Sequence, residues 1–200
     1  GVRVFTATSS QGLALMHEMV YAVPQNRLPI VMANVNRSLG AGAGIWVEYN
    51  DSRAERDSGW LQLYVEDNQE ALDATLMAFR LAEDRRVMLP VMVCLDGFIL
   101  SHTVEKVEIM EQEEVDRFLP AYAPKFTLDV KDPYVLGQVA PPNVYMEMRR
   151  SIQMAMEAVP EVLGAVEDSF REHFGRSYGL VDAYRCEDAE IVLVMAGTTA

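Results

Sequence analysis

The chain is poor in sulfur ligands. Its two cysteines, Cys94 and Cys186, stand far apart, and neither has a neighbouring ligand. That excludes a disulfide framework and a metal site of recognisable spacing. It also argues against an iron–sulfur cluster held by this chain alone, and reduced cytoplasm is the expected compartment. Cations are scarce too. Lys and Arg number 17 against 30 Asp and Glu, a formal net charge of -13, and no basic block offsets it. A nucleic-acid backbone is therefore excluded as a partner, and the charge reads as solubility. No apolar run reaches the roughly 20 residues of a membrane span, so no membrane association is expected. There is no starting Met and no signal segment. The chain opens on Gly-Val-Arg directly into a strand pattern and closes on "IVLVMAGTTA", so both ends read as cuts within a longer polypeptide.

What is present is enough apolar residue, 50% of 200, to bury a sizeable core in one domain and a fraction. Val2 to Thr6 reads as a short strand, followed by "TATSSQG" and a helix from about Gln11 to Val23, closed by Pro24. "LPIVMANV" (Leu28 to Val35) is nearly all apolar, as a strand covered on both faces should be. "WLQLYVE" (Trp60 to Glu66) predicts another strand. Asp67 and Glu70 predict a capped start for a helix running to about Arg86, and "MLPVMVCLDGF" a further buried strand. Strands alternating with helices predict a parallel α/β sheet. Ligands of such sheets bind beyond the carboxyl ends of the strands. Three loops gather there: residues 6–12, 37–57 and 96–102.

Beyond Val104 the pattern changes. Glu111–Leu119 predicts a short acidic helix, and residues 120–142 hold five of the nine prolines and predict an extended connection. Asn143 to Val159 predicts a helix, Pro160 restarts a second one to about Phe174, and Ala189–Met195 predicts a strand opening another domain.

Among the loops, "RSLGAGAGIWVEYND" (Arg37 to Asp51) is the least suited to packing. A guanidinium at the mouth of a buried strand requires a partner. That partner is either a carboxylate of the chain, such as Glu48 or Asp51, or a ligand carboxylate gripped in a fork. Gly40, Gly42 and Gly44 either form a plain surface loop or leave space for a ligand; no dinucleotide fingerprint context surrounds them. "TATSSQG" offers either helix capping by Ser9 or Ser10 or a polar ligand edge. "DGFILSH" carries Asp96, Ser101 and His102, but no nucleophile-elbow motif accompanies them.

The segments "TATSSQGLALM", "RLPIVMANVNRSL", "RDSGWLQLYVEDNQEALD" and "LPVMVCLDGFILSHTVE" together resemble the pyruvate:ferredoxin oxidoreductase family in its separate α-subunit form, densely over residues 2–119. The wider group is the 2-oxoacid:ferredoxin oxidoreductases. The resemblance implies a thiamine-diphosphate-binding α/β domain of the pyrimidine type, with helices on both faces of a parallel sheet, over residues 1–119 and lacking its N-terminal part. It further implies a linker over 120–185 and the start of a transketolase-C-like domain over 186–200. It implies oxidative decarboxylation of a 2-oxoacid, usually to an acyl-CoA, with electrons passed to ferredoxin. The implied cofactor is thiamine diphosphate, shared with a thiamine-binding β-subunit. Mg²⁺ and [4Fe-4S] clusters would sit in partner subunits, a γ-subunit and an iron–sulfur subunit would complete the assembly, and none of these groups would be bound by this segment alone. Arg37 matches the family arginine that holds the substrate carboxylate. Ser9, Ser10, Gln11, Gly40, Gly42, Gly44, Trp46 and Tyr49 are then the substrate-side candidates, and Thr8 and Ser9 the cofactor-side ones.

The loop from Arg37 to Asp51 departs from the family. Pyruvate-using members typically carry an Ala-Pro-Ile-Asn run where this chain has glycines. Bared pocket walls change selectivity, by roughly 1–3 kcal/mol per methylene. A substrate other than pyruvate, an aryl glyoxylate or oxalate, is therefore the expectation. The alternatives are pyruvate itself or a non-catalytic scaffolding subunit.

Overall fold

The computed structural model describes residues 2–40, 42 and 44–200; Gly1, Ala41 and Ala43, the last two within the glycine loop, lie outside the described residues. Four strands form one parallel sheet in the order β1-β2-β4-β3. They are β1 (Val4–Ser9), β2 (Ile30–Asn36), β3 (Leu61–Tyr64) and β4 (Val91–Asp96). In register, Ser9 lies beside Val35, and Asn36 beside Asp96. The strand ends that the loops leave are thus level with one another.

Alternation across the strands sends side chains to two cores. Val31, Val91 and Val93 face α4 (Asn68–Glu83) and pack on Met77, Ala78 and Leu81. Met32, Met92 and Cys94 face the other way, onto Leu13 of α1 (Gln11–Leu15) and Val20 of α2 (His17–Gln25). Burial on both faces is why Ile30–Ala33 of β2 and Val91–Leu95 of β4 read as apolar runs. The expected parallel sheet with helices on both faces is the observed one.

Several boundaries differ from the sequence reading. The first helix is broken at Met16, whose N–H reaches back only to Leu13. Pro24 sits within the last turn of α2 instead of ending it. Neither Ser9 nor Ser10 caps α1 through its side chain, because both hydroxyls are spent on strand and loop carbonyls. Asp67 does cap α4, accepting from the Glu70 N–H at 2.7 Å.

The larger difference is α7 (Pro142–Phe174), one helix of 33 residues running through Pro160. An interior proline costs about 3 kcal/mol. Pro160 itself lies on the exposed side of the helix. The stripe on either side of it outweighs that cost: Ile152 and Ala155 before, Val162, Val166 and Phe170 after, all buried against α4 and α6 (Gln112–Phe118). Phe118 is fully buried, edge-on to Phe170 at 5.2 Å. After α7, Arg176 forks onto buried Asp73 of α4 at 2.6 and 3.1 Å, and the Tyr178 hydroxyl donates to the same carboxylate at 2.6 Å. Residues 189–195 form no strand: Ile191, Leu193 and Val194 are 75% or more exposed. A strand exists only through a ladder partner, and the described residues offer none to this segment.

Candidate active site

Asp51 organises the carboxyl end of the sheet. It lies in α3 (Asn50–Ala54), is 1% exposed, and receives five N–H donors: Ser10 N, Asn34 Nδ2, Asn36 Nδ2, Arg37 N and Ser52 N, at 2.7–3.2 Å. Its charge is met by dipoles from β2, from α3 and from the residues that follow β1 and β2, with no cation among those donors. The consequence is positional: Asp51 fixes the backbone of residues 10 and 37 relative to each other. The sequence suggested Asp51 as an ion-pair partner for the Arg37 guanidinium; it holds the Arg37 main chain instead.

Ser38 continues this bracing. Its carbonyl accepts from Ser10 Oγ at 2.6 Å, and its hydroxyl oxygen accepts from Gly44 N at 2.6 Å. Ser10 is fully buried with a left-handed φ of 47°, an uncommon backbone state for a residue with a side chain, tolerated because two hydrogen bonds pin it.

With the main chain held, the Arg37 side chain is left over. Its Nη2 approaches Gln11 Oε1 at a long 3.4 Å, and its Nε is buried without a partner. Among the described residues no carboxylate pairs with it. The side chain forms part of a cavity of about 240 Å³ at the strand ends. Its other polar walls are Ser9 and, from α5 (Ile99–His102), Ser101 and His102; Val35, Ile45, Gly97 and Phe98 supply the rest. Gly97 has a steric reason: a Cβ there would collide with the Asn36 carbonyl.

The remaining candidates divide. Gln11 adjoins Arg37, and Ser9 lines the cavity while donating to Val35 O at 2.7 Å. Thr8 precedes Ser9 on β1, its hydroxyl close against Gly12. Trp46 stands outside, 57% exposed, edge-on to Phe98 at 4.0 Å. Tyr49 turns away. Its hydroxyl lies 2.8 Å from both Asp96 Oδ1 and Ala196 O, and burial, then Asp96, push its pKa up. Gly40 and Gly42 have φ of 90° and 79°, and a Cβ on either would meet nothing within 4 Å. Their glycines answer a backbone requirement and do not widen the cavity. Gly44 packs beside Trp46 and Ser38. The enlarged pocket expected from the glycines is therefore not formed by them.

Phe98, Ile45 and Gly97 carry no sequence signal that marks them as cavity walls. Phe98 has a left-handed φ of 67°, which aims its ring across the strand ends; only the "DG" before it hints at a tight turn.

Residues 1–168 match the family described as pyruvate flavodoxin/ferredoxin oxidoreductase, thiamine diphosphate-binding. The chain belongs to that family. Within it, the chain is 59% identical over 198 residues to "Pyruvate synthase subunit PorA" of Methanothermobacter thermautotrophicus, covering 99% of this chain and 52% of that protein. It is 46% identical to "Ketoisovalerate oxidoreductase subunit VorA" of Pyrococcus horikoshii, over 99% of this chain and 50% of that one. The chain thus spans about half the length of the curated relatives it matches. Among solved structures, the 2-oxoglutarate:ferredoxin oxidoreductase of Magnetococcus marinus superposes with a TM-score of 0.55 at 19% identity, over 78% of this chain and 33% of that one, a likeness of fold.

A family of thiamine-diphosphate-binding domains raises the question of fit. The orphaned Arg37 Nε beside a largely apolar cavity suits a small anionic substrate next to the cofactor's organic rings. The diphosphate end is another matter. Among the described residues no group of three or more His, Cys, Asp or Glu could hold the accompanying metal ion.

Proposed function

We propose that this chain is the α-type component of a pyruvate:ferredoxin oxidoreductase, acting on pyruvate and producing an acyl-CoA. The relatives at 50–59% identity are named pyruvate synthase subunits, which favours pyruvate over the aryl glyoxylate or oxalate expected from the glycine loop. The observation that carries the reading is the unpaired, half-buried Arg37 guanidinium on the wall of a cavity at the strand ends. A buried donor left without a partner is costly, and a carboxylate reaching Nε would complete it.

Thiamine diphosphate, when bound, supplies the carbanion chemistry by which a 2-oxoacid loses CO₂. This chain's residues bind and orient. Arg37 takes the substrate carboxylate in a fork and fixes the approach of its 2-oxo carbon. Gln11 steadies the guanidinium. Trp46, packed on Phe98, shields the cavity mouth from water. Thr8 and Ser9 are the residues that would hold the cofactor's organic part. A thiamine-binding β-subunit carries the diphosphate and Mg²⁺. A γ-subunit and an iron–sulfur subunit with [4Fe-4S] clusters pass electrons to ferredoxin in the cytoplasm, and coenzyme A takes the acyl group. Residues 186–200 begin a transketolase-C-like domain.

The test is pyruvate-dependent reduction of benzyl viologen by the assembled enzyme carrying Arg37→Ala or Arg37→Lys. Losing two charged hydrogen bonds, each worth about 1.5–3 kcal/mol, should lower kcat/KM at least about a hundredfold. Lysine should restore little of it, lacking the fork. Unchanged kinetics in Arg37→Ala would remove the role.

A further inference from the structure

The cavity has four polar walls, and their hydrogens can be accounted for one by one. Ser9 Oγ donates to Val35 O at 2.7 Å and has no second proton to give. Ser101 Oγ accepts from Phe98 N at 2.9 Å and lies 2.9 Å from His102 Nδ1. A hydroxyl that already accepts a backbone N–H is best satisfied by donating, so Ser101 gives its proton to Nδ1. With Nδ1 accepting, the ring proton of His102 is carried on Nε2. Its ring is stacked on Phe98 at 5.0 Å and 26°, which fixes its plane. Among the described residues Nε2 has no partner. Two side chains of the cavity lining therefore keep a donor that no described residue engages: Arg37 at its buried Nε, and His102, an exposed residue, at Nε2.

A 2-oxoacid also presents two acceptor groups, a carboxylate and an oxo oxygen. We propose that His102 is the second substrate-contacting group of this site, donating from Nε2 to the 2-oxo oxygen while Arg37 holds the carboxylate, with Ser101 as the positioning residue that sets the tautomer. The inference rests on the 2-oxoacid reading above. The oxo oxygen gains negative charge when its carbon is attacked, so a preset donor there lowers the barrier more than it tightens binding.

The split between kcat and KM tests it in the assembled enzyme with pyruvate and benzyl viologen. His102→Leu should lower kcat about a hundredfold, the loss typical of one oxyanion donor, with KM little changed. His102→Gln, whose amide N–H can occupy the Nε2 position, should recover about tenfold of that loss, whereas His102→Asn, too short to reach, should not. This pair keeps the test valid even if leucine disturbs folding. Ser101→Ala should lower kcat, and Ser101→Thr should restore it. Propionate, a carboxylate without the oxo oxygen, should inhibit His102→Leu as well as wild type and inhibit Arg37→Ala poorly. Wild-type kcat in His102→Leu, equal rates in the Gln and Asn variants, or weakened propionate inhibition in His102→Leu would each overturn the assignment. A wild-type assembly inactive on pyruvate would instead sink the proposed function, so the two failures are distinguishable.

Discussion

Replacing Asp51 by asparagine is the most informative single change at the strand ends. Its two oxygens divide the five donors: Oδ1 takes Asn36 Nδ2 and Ser52 N, and Oδ2 takes Ser10 N, Asn34 Nδ2 and Arg37 N. An amide keeps one oxygen. It fits best with that oxygen toward the three donors, which sets its NH₂ against the other two. Two charge-assisted hydrogen bonds are then lost, at about 1.5–3 kcal/mol each. Neutralising a buried charge that lacks a counter-ion offsets part of this, so a net destabilisation of about 3 kcal/mol is expected. For a chain of this size that corresponds to a melting temperature lower by roughly 6–12 °C. Because Asp51 also sets the backbone of residue 37, KM for the 2-oxoacid should rise alongside. Differential scanning calorimetry and steady-state kinetics on the assembled Asp51→Asn enzyme read both effects. A variant that melts with wild type and keeps its KM would show that the five donors do not determine the loop's placement.

Other consequences are more local. Burial, then Glu66 and Asp67 with Glu167 behind them, raises the Glu70 carboxyl from 4.5 to about 7, although its hydrogen bond from Glu66 N pulls the other way. A raised carboxyl pKa means that the folded state holds the proton more tightly. The resulting stability is full below pH 4.5 and is lost as pH rises through about 7. Urea midpoints of wild type minus Glu70→Gln should therefore fall across that window; a flat difference contradicts it. Gly42→Ala should cost roughly 1 kcal/mol through its left-handed backbone and leave KM for pyruvate unchanged, while Gly97→Ala should cost about 1–3 kcal/mol by crowding the Asn36 carbonyl; paired melting curves and kinetics separate them. Cys94 is fully buried with its thiol pKa pushed up by burial, and Cys186 is exposed, so iodoacetamide followed by peptide mapping should label Cys186 alone in the native chain.

Much of the fold is legible in the sequence because burial on both faces leaves a plain mark. Val31, Met32, Val91, Met92 and Val93 are apolar whichever way they point, and so short an apolar run between turn residues is the pattern of a covered strand. Arg37 stands out in the sequence because a guanidinium after such a run is chemically out of place, and its Nε is indeed buried without a partner. Less legible are features in which one side chain serves several distant backbones. Asp51 reads as one acid in an acidic loop, yet its donors come from residues 10, 34, 36, 37 and 52. The helix through Pro160 is hidden because the local steric cost is visible in the sequence, whereas the α4 surface that the stripe covers is not. Gly40 and Gly42 mislead for a related reason: an absent side chain signals open space or an unusual φ alike, and only coordinates separate the two.

The short 3₁₀ turn Gly197–Thr199 lies against the end of β4. Thr198 gives both its N–H and its hydroxyl to Asp96 Oδ2, at 2.9 and 2.5 Å, while Asp96 Oδ1 takes Tyr49 from the arginine loop. One carboxylate thus clasps the loop that carries Arg37 to a turn whose preceding residue, Ala196, stands 147 positions beyond Tyr49. The rim of the cavity and the region beyond the long helix are thus tied together at a single carboxylate, Asp96, and the Tyr49 hydroxyl beside it.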